Sequence, residues 1–486
     1  MNESSQQYID IFASNRDDIC RYSCNLLNSA REKAYEAFRV KGLPSQKVER
    51  YKYTDVNGIF APDYGLNIRR VEFPVNPYEA FRCNVPNLST SLYFVENDAF
   101  YNKAVPRAPL PQGVFVGSVK EFAETNPGVA EKYYAAIADT KKDAVTALNT
   151  MFAQDCLVVY VPNGIKVERT IQVVNILRSD VDLMANRRVL VIAEDGAQVS
   201  LLFCDHDADD RNFLSTEVME VFAGKGSQVR IYSLEQTLLK NKRFSNCYVR
   251  QQADSKVVMN NMTLHGGLTR NKLDIVFEGE GAEVEAYGFA LVDGTQHVDT
   301  NVLIDHKVGK CRSNVLYKYV VDKESVGAFA GKVLVREGAE KTESQETNAN
   351  LCVSSNARMY SQPMLEIYAD DVQCNHGSTV GQLDEAAMFY MEQRGVPEEE
   401  AKLLLEYAFV DEVLAHALPV PHVCRRFLRG RRGTEWTRCR IVRLFGRVGC
   451  VSDSAKREFL RPAFSSCRFV AVFVLGNVFR ACRYNE

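Results

Sequence analysis

A chain of 486 residues, 46% hydrophobic and 25% charged, has room for two or three domains and the make-up of an ordinary globular protein. A formal net charge of −3 excludes a chain that is polybasic or polyacidic throughout, and no apolar run approaches the ~20 residues a membrane-spanning helix needs. Met1-Asn2-Glu3-Ser4-Ser5 carries neither the basic nor the apolar part of an export signal, so a cytoplasmic location is expected, with the 14 cysteines as thiols rather than disulfides.

In chain order, residues 5–41 read as helix. Leu26, Leu27, Ala30, Ala34 and Phe38 recur at three- and four-residue spacing, and Gly42 with Pro44 ends the run. Cys20 and Cys24 lie one helical turn apart, but no second pair follows at zinc-finger spacing, so packing is the simpler reading. Residues 60–125 are mixed, and a helical stretch from about Val129 to Phe152 closes an N-terminal helical and mixed domain over 1–150.

From Cys156 to about Gly381 short β-branched and aromatic runs dominate, among them Leu157–Val161, Val189–Ile192, Val199–Phe203, Val229–Tyr232, Val284–Tyr287 and Val333–Val335. A Gly-Ala/Ser-x pattern recurs at Gly196, Gly226, Gly281, Gly338 and Gly377, the first four separated by 30, 55 and 57 residues. Those gaps are one or two multiples of about 28, which predicts a mainly β solenoid over 151–384 with coils of about 25 to 30 residues, where a β-sandwich has no reason to repeat. A helix follows over roughly Glu385–Gln393. A second starts near Pro397 with Glu398, Glu399 and Glu400 at its positive end, and carries an apolar stripe of Ala401, Leu404, Leu405, Ala408, Phe409 and Val413. These make a C-terminal helical segment, 385–420.

Residues 421–486 depart from this texture. They hold 14 Arg and 1 Lys against 4 acids, five cysteines (Cys424, Cys439, Cys450, Cys467, Cys482) and the single Trp, whereas residues 1–420 hold 44 basic and 58 acidic residues. The stretch is read as a disordered, protease-sensitive tail produced by a reading-frame shift. The blander alternative, an Arg-rich nucleic-acid binder, rests on this stretch alone.

The richest motif spans Ala369-Asp370-Asp371-Val372-Gln373-Cys374-Asn375-His376-Gly377-Ser378-Thr379-Val380-Gly381, followed by Phe389-Tyr390-Met391-Glu392-Gln393-Arg394-Gly395. It resembles the SufB/SufD family of the SUF iron–sulfur cluster assembly machinery, specifically SufD-like subunits, because the SufB type continues its Cys-x-His with Glu-Ala-Thr. Glu49-Arg50-Tyr51-Lys52-Tyr53-Thr54 is similar to the family's Glu-x-Trp-Lys-Tyr-Thr, with Tyr51 where Trp is usual, and Ala147-Leu148-Asn149 with 158–164 looks like the start of its core domain. The resemblance covers about residues 35–415.

It implies a right-handed parallel β-helix flanked by helical segments, and a non-catalytic scaffold that binds no cofactor stably. It further implies a SufB-like partner at the edge of the β-helix, with a homodimer where SufB is missing, and a SufC-like ABC ATPase that binds the ATP and docks through Leu404, Leu405, Ala408 and Phe409. A transient iron–sulfur cluster would be assembled at the partner interface, with His376 and Cys374 as shared, transient ligands. Neither nucleic acid nor membrane is an implied partner. Read from residue chemistry alone, a thiolate and an imidazole are suitable iron–sulfur ligands, and one intervening residue on a strand points them to the same side.

Other candidates are weaker. Gly327-Ala328-Phe329-Ala330-Gly331-Lys332-Val333 is one spacer short of a P-loop and has Val where Ser or Thr should bind magnesium, and Gly224-Lys225-Gly226-Ser227 reads as a turn. The acids around His206 (Asp205, Asp207, Asp209, Asp210) read as a solvated loop, His297, Asp299 and His306 as inter-coil hydrogen-bond ladders, and Cys311 and Cys352 as small buried hydrophobes. The runner-up function is a β-helix carbohydrate-active enzyme with Asp370 and Asp371, or the 205–210 acids, as general acid and base.

Overall fold

The computed structural model describes residues 2–71, 77, 90–102 and 109–416. The basic stretch 421–486 lies outside them. Described residues up to Val380 form one compact unit and those from Gly381 to His416 belong to another. The change of texture near residue 150 is thus a change of secondary structure inside one unit.

The N-terminal helix run is broken once. Helices Glu3–Arg21 and Asn25–Lys41 are separated at Tyr22-Ser23-Cys24, and Gly42, at φ 64°, ends the second. The stretch expected as one helix over 129–152 is likewise two, Pro127–Tyr133 and Ala144–Phe152, the latter capped by the Asp143 carboxylate accepting from the Thr146 amide. Short strands β1 (Gly65–Leu66), β2 (Ser91–Glu96), β3 (Ala99–Phe100) and β4 (Phe115–Ser118) precede the core.

The core is a parallel β-helix. One sheet contains β5 (Leu157–Val161), β7 (Leu183–Ala193), β9 (Phe213–Ala223), β11 (Lys242–Gln251), β13 (Leu268–Phe277), β15 (His297–His306), β17 (Val326–Val335) and β19 (Arg358–Ile367). The other contains β6 (Ile171–Leu177), β8 (Gln198–Asp207), β10 (Gln228–Gln236), β12 (Lys256–His265), β14 (Glu283–Val292), β16 (Arg312–Val321), β18 (Thr342–Cys352) and β20 (Val372–Gly381). Consecutive strands alternate between sheets, so each coil gives one strand to each. Register partners such as Lys242 with Leu268 and Val326 with Arg358 set coil lengths of 26 to 32 residues.

One backbone feature explains the imperfect sequence repeat. Just before β8, β10, β12, β14, β16 and β18 the chain turns through a left-handed residue: Gly196, Gly226, Asp254, Gly281, Lys310 and Lys341, with φ of 68°, 65°, 58°, 74°, 57° and 59°. Glycine adopts this without strain, whereas Asp and Lys do so at roughly 1–2 kcal/mol each. The gaps of 55 and 57 residues each span a coil whose turn lacks the glycine. Gly377 does not belong to the series, since it lies in extended backbone inside β20, and neither does Gly338, which at φ 81° stands three residues before Lys341.

Alternation along each strand sorts the side chains. Inward positions such as Val189, Val191, Val199, Leu201, Met219, Val229, Ile231, Ile275 and Val333 form a continuous apolar core. On the outer face of the first sheet, Met184, Leu214 and Phe244 pack against Tyr8, Phe12, Phe60 and Phe152 of the N-terminal helices.

The ends of the β-helix differ. At the first, β4 lies antiparallel on β5 and β3 antiparallel on β2, which is itself joined to β6. At the last, β19 and β20 are terminal in their sheets. In the second unit, Met391 of helix Glu385–Gln393 packs on Ala401 and Leu405 of helix Glu398–Ala415.

Candidate functional site

The Cys-x-His pair lies on β20, the edge strand of the final coil. Strand residues two apart share a face and are ~6.6 Å apart along it. Cys374 is half-buried, with Val372 beside it against the apolar core, while His376 is exposed. Beneath them the lumen turns polar. On β18, Ser344, Glu346, Asn348 and Asn350 are buried at alternating positions. The Ser361 hydroxyl donates to Asn348 Oδ1 (2.6 Å) and hydrogen-bonds Ser378 Oγ (2.5 Å). Deeper in, His306 Nε2 meets Ser313 Oγ at 3.0 Å, and Ser313 donates to Ser344 Oγ at 2.8 Å. The bond of His306 thus lies within its own coil, and Ser313 carries the chain of hydroxyls on to the next; burial lowers the imidazole pKa to about 4, so the ring is neutral.

Burial also raises the Cys374 thiol, opposed by the Ser344 amide. The group is therefore a thiol at neutral pH, and metal capture there must release its proton, a step favoured as pH rises. Among the described residues no three His, Cys, Asp or Glu side chains stand together as a finished metal site. A soft sulfur and an imidazole on an open edge are donors suited to iron–sulfur chemistry.

Comparison with known proteins gives the family. The family model for the SUF system FeS cluster assembly SufBD core domain matches residues 176–409, and that for the SufBD protein N-terminal region matches residues 2–173. The chain belongs to the SufBD family. Its SufBD relatives include an iron–sulfur cluster assembly SufBD family protein of Synechocystis, 26% identical over 401 residues that cover 80% of this chain and 87% of that one. The iron–sulfur cluster assembly protein SufD of Escherichia coli is 26% identical over 380 residues, 76% of this chain and 85% of its own. Protein ABCI7, chloroplastic, of Arabidopsis thaliana is 26% identical over 401 residues, 80% and 82% of the two chains. A SufBD chain has a role in iron–sulfur cluster assembly, and its core match encloses both Cys374 and His376.

The SufBD N-terminal signature proves to be a strap across the first sheet. Arg50 forms an ion pair with Asp274 on β13 (2.7 Å), Thr54 donates to Asp299 on β15 (2.6 Å), and Tyr53 stacks on Tyr360 of β19 with ring centroids 4.4 Å apart. Arg270 lies over the Tyr51 ring at 3.9 Å, and the Tyr51 hydroxyl donates to Asp143 Oδ2 at 2.7 Å. Asp143 also receives Lys272 (3.1 Å) and Asn246 (3.0 Å). Burial would push this carboxyl up, but Lys272, the Thr146 amide and Tyr51 outweigh it and hold it well below the usual carboxylate range. A depressed carboxylate stabilises the fold fully at neutral pH and loses that contribution as pH falls below about 4. Tyr51→Phe should thus cost about 1.5–3 kcal/mol at pH 7, which urea unfolding of the variant beside wild type measures. Asn149, from the third resembling segment, donates to the Arg187 carbonyl (2.9 Å) and to Thr216 Oγ1 (2.9 Å), tying its helix to β7 and β9.

The acids around His206 are not a solvated loop. Asp205, His206 and Asp207 belong to β8, with Asp205 and His206 buried. Asp205 is paired with Arg187 (2.7 Å) and Arg243 (3.1 Å) and accepts from Asn175 (3.0 Å), while Asp207 accepts from the Leu238 amide (2.7 Å). Only the turn fits the expectation, with Asp210 exposed and bound to Lys240 at 2.9 Å. Residues 327–333 lie inside β17, a strand rather than a phosphate-cradling loop. Of the predicted docking residues, Leu405 is buried in the helix pair, Leu404 packs at its margin, and Ala408 and Phe409 are half-buried. Phe389, at 63% exposed, is more open than any of these four.

Proposed function

We propose that this chain is the SufD-type scaffold subunit of an iron–sulfur assembly complex, non-catalytic itself. It pairs with a SufB-like subunit through the open edge of the final coil, offers His376 and Cys374 to a transient cluster shared with that partner, and receives a SufC-like ATPase on the helices after Gly381. The observation that carries this reading is the ten-residue edge strand β20 with both donors on it, because an edge strand presents unpaired backbone groups that a second chain can extend. Two donors alone leave a cluster half held, which suits a site that must release its product. The carbohydrate-enzyme reading loses its 205–210 acids to structural ion pairs, since Asp205 is sealed between two arginines.

The test is co-expression with SufB- and SufC-like subunits under anaerobic conditions. Size exclusion should return one complex containing all three chains, with iron and sulfide in the same fractions. Elution of this chain alone, with the other two complexed to each other, would sink the proposal.

A further inference from the structure

Glu346 is unaccounted for by packing. It lies on β18 with 1% of its surface exposed, and neither carboxylate oxygen has a hydrogen-bond partner. Buried carboxylates are ordinarily paired or hydrogen-bonded, so one that is neither needs an explanation. Apolar residues of similar size were available to the fold, as the inward positions of preceding coils demonstrate.

Room has been left for this group. Directly across the lumen stands Gly331 of β17, where an added Cβ would lie 1.9 Å from Glu346 Oε1. Any side chain at 331 would evict the carboxylate. Glycine inside a strand weakens it, and Gly331, mid-strand in β17, leaves the carboxylate its space.

The position is also specific. Ser344, two residues before Glu346, has its amide against the Cys374 sulfur. Asn348, two residues after, is joined through Ser361 to Ser378. β18 and β20 are neighbours in the sheet. Glu346 therefore occupies an inward position on β18, between Ser344 and Asn348, in the strand next to the one that carries His376. Adjacent strands are ~4.8 Å apart, within reach of a glutamate side chain. Its carboxylate is turned toward Gly331, which is why it makes no finished metal group with the other two.

We propose that Glu346 is a third iron-site residue of this chain, an oxygen donor that takes ferrous iron from below while Cys374 and His376 hold it from the edge strand. The assignment rests on the assembly-site reading of Cys374 and His376. It adds a hard ligand to a sulfur and an imidazole, a donor set matched to ferrous iron as it arrives, before sulfide replaces oxygen.

The experiment is anaerobic titration of the purified full chain with Co2+, a spectroscopic stand-in for Fe2+, comparing wild type with Glu346→Gln, Glu346→Asp, Cys374→Ala and His376→Ala. Gln keeps the volume and removes the anionic ligand. Its apparent affinity should fall ~10–100-fold, the range seen when a supporting group of a metal site is lost, with partial recovery in Glu346→Asp. Melting temperature should not fall in Glu346→Gln, which distinguishes lost ligation from lost folding. Wild-type affinity in Glu346→Gln, with weakened binding in His376→Ala and Cys374→Ala, overturns the Glu346 assignment and leaves the parent reading standing. Unchanged binding in all four variants overturns both, and a wild-type chain that binds no Co2+ overturns the three-donor site.

Discussion

Arg243→Ala should destabilise the protein by about 3–5 kcal/mol, the loss expected when one member of a buried ionic cluster is removed and its partners are left charged. Arg243 is buried on β11, its guanidinium within 3.1 Å of Asp205 on β8, 3.4 Å of Glu217 on β9 and 3.1 Å of Asn271 Oδ1 on β13. These groups point into the lumen from both sheets, so the cluster spans the β-helix. Burial alone would raise Asp205, but Arg243 and Arg187 outweigh it and keep its pKa lowered. Glu217 and Glu235 are raised by burial, Glu235 to about 7 with Thr263 and Thr269 donating to it. Without Arg243, up to three acids share one lumen with only Arg187 near them. Guanidinium denaturation measures the loss. A change below about 1 kcal/mol would show that water already solvates this cluster.

His376→Ala should leave the fold nearly untouched and remove most of the iron from the co-purified complex. The imidazole is exposed on an edge strand, so its truncation opens no cavity. If it served only as a structural hydrogen-bonding group, its loss would cost about 1–3 kcal/mol, and iron would fall only as far as stability did. The two readings separate when melting temperature and iron content are measured on the same preparation. An unshifted melting curve with iron reduced severalfold supports the site, and normal iron loading sinks it. Cys374→Ala should act in the same direction with a smaller effect on iron and a larger one on stability, because its side chain packs against the core.

The strands that sequence reading finds are those whose inward residues are apolar and β-branched, such as Leu157–Val161 and Val229–Tyr232. Thr342–Cys352 shows where that signal fails: Thr-Glu-Ser-Gln-Glu-Thr-Asn-Ala-Asn reads as loop, yet it is an eleven-residue strand whose polar side chains fill the lumen. Glu346 is hidden for the same reason, one acid in a polar run, and only its partnerless burial opposite Gly331 singles it out. The repeat is similarly obscured where Asp254 and Lys310 take the left-handed turn that glycine marks elsewhere. The acids at 205–207 mislead in the opposite direction, because local composition cannot reveal the arginines, 18 residues before Asp205 and 38 after it, that bury them. Cys374 and His376 are legible because spacing on a strand fixes their shared face, whatever the rest of the coil contains.

The unequal ends of the β-helix bear on how the molecule is made. A solenoid grows by adding each coil to the one before it, and its first edge is already closed by antiparallel strands. On a ribosome adding 5–20 residues per second, a coil of about 30 residues emerges every ~1.5–6 s onto a neighbour that has had time to form. Residues 372–381, the strand carrying both donors, are the last of this stack to be synthesised. A nascent chain therefore completes this edge only after every coil that supports it exists, and a partly made chain displays some other strand in its place. The order of translation itself makes the open edge at residues 372–381 the last part of the stack to appear.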